Sequence, residues 1–111
     1  MDFYDDVLSN TYLAWIIKLE QARREFQQAK TQEEMERAEA AYCQAKSISF
    51  RVEQQYYVAH LDAFGALPSS RASISIMTDV GFYRWLNRKG QCADSPHFKE
   101  LRAEYYRSVR Q

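Results

Sequence analysis

The feature that most constrains this chain is a heptad-like series that runs without a break from Met35 to Ala63. Apolar or small residues recur at Met35, Ala38, Tyr42, Ala45, Ser49, Val52, Tyr56, Ala59 and Ala63. Steps of three and four keep such residues on one stripe of a helix. Upstream, Thr31-Gln32-Glu33-Glu34 has the form of a capping box, in which the hydroxyl takes one free N–H and the glutamate reaches back to another. Gly65 suits a left-handed C-cap, and Pro68 follows it. One helix over 32–64 would be roughly 50 Å long at ~1.5 Å per residue. A compact globule of this size has a radius of gyration near ~13 Å. The helix must overhang, so either the molecule is elongated or another chain covers the excess.

A second stripe precedes the first, at Tyr12, Trp15, Leu19, Ala22, Phe26 and Ala29. The turn at 30–32 is short, which forces the two helices to run antiparallel. Folded about that turn, facing residues have numbers that sum to about 64. Phe26 then meets Ala38, Ala22 meets Tyr42, Leu19 meets Ala45, Trp15 meets Ser49 and Tyr12 meets Val52. Most layers set a large side chain against a small one, which fills the seam without voids. Around Trp15 the first helix is also apolar on its other sides, at Leu13, Ala14, Ile16 and Ile17. Burying a side chain such as Leu or Ile stabilises by about 1.5–3 kcal/mol, so the C-terminal part or a second subunit should cover that face.

Beyond Pro68 the signal weakens. Ser69 or Ser70 could cap a helix running through Ile74 and Met77, while Ser73-Ile74-Ser75-Ile76 alternates like a short strand. Residues 79–89 read as a helix that Gly90 closes. Gly81 within it costs about 1 kcal/mol relative to Ala, which implies a close packing contact or a helix start at that point. Ser95-Pro96 signals a final helix, with Phe98, Leu101, Tyr105 and Val109 along one face. The expected fold is all-α and a single domain over 1–111. An antiparallel coiled-coil hairpin over 1–64 carries a C-terminal segment over 65–111, whose two shorter helices pack near the hairpin's open end.

Charge and composition exclude several function classes. Fifteen basic and fifteen acidic side chains cancel over 111 residues, as in a folded rather than a disordered chain. The halves differ: residues 1–64 hold 7 Lys/Arg and 11 Asp/Glu, residues 65–111 hold 8 and 4. The N-terminus is acidic where a targeting peptide would be basic. The longest apolar run, Tyr12 to Ile17, is six residues, against the ~20 needed to span a bilayer. A cytoplasmic protein with no membrane contact is expected, with Cys43 and Cys92 as reduced thiols.

No catalytic, metal or cofactor site is expected. Walker, GxGxxG, GxSxG and HExxH motifs are missing from the sequence. Cys92 and His97 share one short stretch with Asp94, but catalytic Cys–His pairs are usually neighbours in space rather than in sequence. His60 and Asp62 point about 200° apart on a helix and cannot converge on one ion. Asp2, Asp5 and Asp6 read as a first-turn cluster complementing a helix dipole.

Two binding readings remain. Arg84, Arg88 and Lys89 interleave with Phe82, Tyr83 and Trp85, and Lys99, Arg102, Arg107 and Arg110 stud the last helix. Basic residues among aromatics can hold phosphates and stack bases. A helix-turn-helix with Gly81 at its turn, however, puts Asn87 where the core needs an apolar residue, and a neutral chain lacks the expected basic excess. The tyrosines favour a protein partner. Eight is a heavy count, and members of the adjacent pairs Tyr56-Tyr57 and Tyr105-Tyr106 sit ~100° apart on a helix, so both cannot enter one core. Exposed Tyr beside Arg is the composition of a protein–protein hot spot.

The leading expectation is thus a non-catalytic protein–protein interaction module, a homodimeric adaptor or inhibitor that occupies a partner's surface. Its contact residues would be Tyr57, Tyr83, Arg84, Arg88, Lys89, Arg102, Tyr105 and Tyr106. By association with other small helical chains, and not from any residue, this extends to a phage- or plasmid-type accessory factor antagonising a host protein. Nucleic-acid binding or regulation through the basic C-terminal helices is the second choice.

Overall fold

The computed structural model describes residues 4–65 and 79–110; the alternatives weighed for 69–78 lie outside them. The described chain is all-α and carries no strand. A π-helical turn, Tyr4–Leu8, leads directly into α1, Ser9–Gln28. Then follow α2, Gln32–Phe64; α3, Val80–Lys89; and α4, Phe98–Val109. The longest dimension is 49 Å and the radius of gyration 16.0 Å, so the molecule is elongated to the length of α2.

The caps form as their residue types dictate. The Thr31 hydroxyl accepts from the Glu34 N–H at 3.1 Å, and the Glu34 carboxylate accepts from the Thr31 N–H, also at 3.1 Å. Gly65 and Gly90 close α2 and α3 in the left-handed region, with φ of 71° and 69°. The start of α4 differs from expectation. Ser95 Oγ accepts from the His97 N–H at 3.1 Å, the chain makes one turn, and the helix begins only at Phe98.

α1 and α2 form the antiparallel hairpin, and Tyr12 Oη donates to Glu53 at 3.4 Å across it, within one residue of the expected register. The small member of most layers is sealed: Ala22, Ala38, Ala45 and Ser49 are all buried. Tyr12, Trp15, Leu19 and Tyr42 are only half-buried, and Phe26 is 41% exposed. The close approach is therefore made by alanines, with the large side chains lapping over the flanks of the seam.

The hydrophobic core begins in the seam at Val52 and extends onto a second face of α2. Ile48, Val52 and Val58 pack with Phe82, Tyr83, Leu86, Ala93 and Phe98. α3 and the start of α4 thus cover the open end of the hairpin, as expected. Gly81 meets α4 there: a β-carbon at Gly81 would lie 2.5 Å from Tyr105 Oη, which is the close contact its presence implied. Asn87 corrects one sequence argument. It does face the core, yet as a satisfied amide, since its Oδ1 accepts from the buried Gln55 at 2.9 Å.

Candidate functional site

The residues expected to meet a partner fall into three groups. Tyr57 and Tyr83 are buried, at 6% and 5% exposure, and present no surface. For Tyr57 the sequence chose the wrong member of its pair, because Tyr56 is the half-buried one. Tyr83 belongs to the core, and burial pushes its phenol up to about 12. Neither can serve as an exposed hot-spot residue.

A second group is committed to ion pairs within the chain. Arg84 grips Asp62 through two hydrogen bonds of 2.8 Å, which hold that carboxyl below its usual range. Lys89 pairs with Glu104 at 3.0 Å and lies over the Trp85 ring. Arg102 pairs with Asp79 at 2.7 Å and packs against Tyr106. Asp79 also accepts from the Tyr106 hydroxyl, which raises the phenol's pKa. This aspartate takes up a left-handed conformation, φ 56°, unusual for a side-chain-bearing residue. Its two partners on α4 hold it there, tying the start of α3 to the last helix. Arg88 is exposed.

The third group, Tyr105 and Tyr106, is half-buried. Tyr105 packs its ring against Phe82, Trp85 and Tyr106 at centroid distances of 5.1–5.7 Å. Arg84, Lys89 and Arg102 are thus ion-paired and flanked by stacked rings, while Arg88, Lys99, Arg107 and Arg110 stay exposed.

Among the described residues, the outer side of α1 is left exposed. Leu13 is 56% exposed and Ile17 59%, and Ala14 between them is exposed as well. Among the described residues, α3, α4 and the loop between them meet α1 on its opposite side, at Thr11, Tyr12 and Trp15. At ~100° per residue, Asn10, Leu13, Ile17, Glu20 and Arg24 share one ~80° sector pointing away from α2. Sequence reasoning saw that this face needed covering but did not choose its residues as a site. The signal was present in the spacing 10, 13, 17, 20, 24.

The Cys92 stretch is structural in its contacts. Asp94 accepts from the Trp15 indole N–H at 3.1 Å, so the loop is fastened to α1. Burial, followed by the nearby Asp94 charge, pushes the Cys92 thiol up, the reverse of nucleophile activation. His97 is exposed and faces Glu100. Among the described residues no group of three His, Cys, Asp or Glu side chains converges on a metal position, and no helix is long and apolar enough to cross a membrane. Comparison of the chain with protein-family models, with curated proteins and with solved structures finds no match in any of the three, so function is read from these residues alone.

Proposed function

We propose that this chain is a non-catalytic protein–protein interaction module, an adaptor or inhibitor that works as a homodimer. The observation that carries the reading is the uncovered α1 stripe. Exposed large apolar side chains in register along one helix mark association surfaces, and this stripe is complementary to itself. Laid antiparallel on a second copy, residues whose numbers sum to 30 face one another. Leu13 then meets Ile17 of the second copy, Asn10 meets Glu20, and Asp6 meets Arg24. A two-fold axis repeats each contact, the signature of an isologous interface. Ala14 lies beside that axis, where its small side chain permits close approach.

The nucleic-acid alternative has weaker support. Three of the cations it would use already hold carboxylates at 3.0 Å or less, and phosphates would have to displace them.

Two measurements test the proposal. Sedimentation at rising concentration should give twice the chain mass, and Leu13→Glu with Ile17→Glu should give the single-chain mass with unchanged helicity. A wild-type chain that stays monomeric throughout removes the dimer. Affinity capture with and without nuclease tests the module: enrichment that vanishes with nuclease, or binding that collapses steeply between ~50 and 200 mM salt, would transfer the function to nucleic acid.

A further inference from the structure

Among the described arginines, Arg51 is half-buried with no carboxylate paired to it. It projects from α2 in the open-end half of the hairpin, and its guanidinium carbon lies 4.0 Å from the centre of the Phe98 ring. Its Nε is sealed from solvent and makes no hydrogen bond. The ion pairs among the described residues do not include it. Arg84 and Arg102, by contrast, each hold an aspartate. Desolvation is the leading influence on Arg51 and pulls its pKa down, against the Arg84 guanidinium, which its aspartate raises. A half-buried cation is costly unless an anion compensates it. Asp94 lines the same side of the protein and its carboxylate acts favourably on Arg51 from beyond ion-pair distance, while accepting from the Trp15 indole N–H.

The guanidinium borders an open groove of about 680 Å³ between the hairpin and the start of α4. Trp15, Ile48, Pro96 and Phe98 give it apolar walls, and the exposed Lys99 adds a second cation at its edge. That volume falls within the ~300–1,000 Å³ of small-ligand sites. It is large enough for a carboxylate side chain together with one apolar neighbour from the same segment.

We infer that this groove binds an acidic segment of another protein, with a Glu or Asp carboxylate on Arg51 and an adjoining apolar side chain against Trp15 and Phe98. The inference rests on reading the chain as an interaction module and adds the class of partner, on a surface separate from the α1 stripe. Arg51 offers planar donors suited to a carboxylate. The apolar walls favour a peptide over a bare phosphate, which has nothing to place there.

The test uses the full chain labelled with ¹⁵N, with the Trp15 indole N–H as the reporter inside the groove. Three probes are titrated: the blocked peptide acetyl-Glu-Leu-Phe-Glu-amide, its Gln-Leu-Phe-Gln counterpart, and oligothymidine. The Glu peptide should move the Trp15 signal saturably, and the Gln peptide should bind about tenfold more weakly, the worth of one charge-assisted hydrogen bond. Arg51→Met, which keeps the stem's packing on Phe98, should cost the same factor, and Lys99→Gln, on the surface, a smaller one. Equal binding of the two peptides, or no movement at millimolar Glu peptide, overturns the inference. Tighter binding of oligothymidine through Arg51 overturns it too, in favour of a phosphate site. Sedimentation of the Arg51→Met protein should still show the dimer, so the loss of either reading leaves the other measurable.

Discussion

The side-chain amide of Gln55 is sealed inside the protein and binds α2 to the far end of α3 through Asn87. Its Nε2 donates to Asn87 Oδ1 at 2.9 Å and to the Gln91 carbonyl at 2.7 Å, while its Oε1 accepts from the Ala93 N–H at 2.8 Å. One glutamine thus satisfies two backbone groups at the turn after Gly90, where no helix can.

Gln55→Leu should therefore be costly although it enlarges the apolar core. It takes the side-chain partner from the Ala93 N–H, the Gln91 carbonyl and Asn87 Oδ1, and a buried group left without a partner costs about 1–3 kcal/mol. A loss of about 2–4 kcal/mol in urea unfolding is expected, and a neutral result would mean that water reaches the turn.

Gly81→Ala should destabilise despite Ala's better helix propensity. The added methyl meets Tyr105 Oη at 2.5 Å, and the Tyr105 ring is held by Phe82, Trp85 and Tyr106. Removing the hydroxyl relieves the clash, because the next atom, Cζ, lies 3.6 Å away. Gly81→Ala with Tyr105→Phe should then recover the propensity gain of about 1 kcal/mol. A double-mutant cycle on thermal unfolding reads the coupling.

These two positions mark the limit of what the sequence discloses. The hairpin, both of its caps and the C-cap of α3 were legible because they depend on local residue types and a repeating period. The second face of α2 was not. Gln55 and Arg51 interrupt the apolar stripe and look like solvent-facing residues, and only contacts with residues more than thirty positions away bury them. The expected site suffered the same way: the Phe-Tyr-Arg-Trp run beginning at Phe82 reads as an exposed basic-aromatic patch until Tyr83 enters the core and Arg84 finds Asp62.

Acid should loosen the turn between α1 and α2 in a way that Glu34→Gln abolishes. The Lys30 N–H, and then the Thr31 hydroxyl and N–H, hold the Glu34 carboxyl below its ordinary value of 4.5. A depressed carboxylate gives stability that is full above the unfolded-state value and is lost as the pH falls through the lower folded-state value. Wild-type helicity should fall from pH 4.5 downward more steeply than that of the variant. Parallel curves would show that the charge on Glu34 contributes nothing to the turn.

The dimer register makes a prediction of its own. Asp6→Arg sets two arginines against each other at both ends of the α1 pair and should weaken association, as should Arg24→Asp. The double exchange restores opposite charges and should recover it. Sedimentation of the three variants at low salt checks this, and failure of the exchange to rescue would reject the register.

The two thiols should separate cleanly. Cys43 is exposed and Cys92 half-buried, with burial raising the Cys92 pKa. Alkylation followed by mass spectrometry should modify Cys43 first, and faster labelling at Cys92 would reopen a thiol-based activity.

The length of α2 has a dynamic consequence. Among the described residues its first half is backed by α1 alone, and the sealed contacts there are alanines: Ala22, Ala38 and Ala45. Its second half packs Val52, Val58 and the Gln55 amide against Phe82, Leu86 and Asn87 of α3. Alanine removes little area from water, so the hairpin tip can open while the rest stays shut. Amide protons near the tip should exchange by fraying, and those over 48–59 only when the whole protein unfolds. A single unbroken helix thus belongs to two cooperative units, with the boundary close to Ala45.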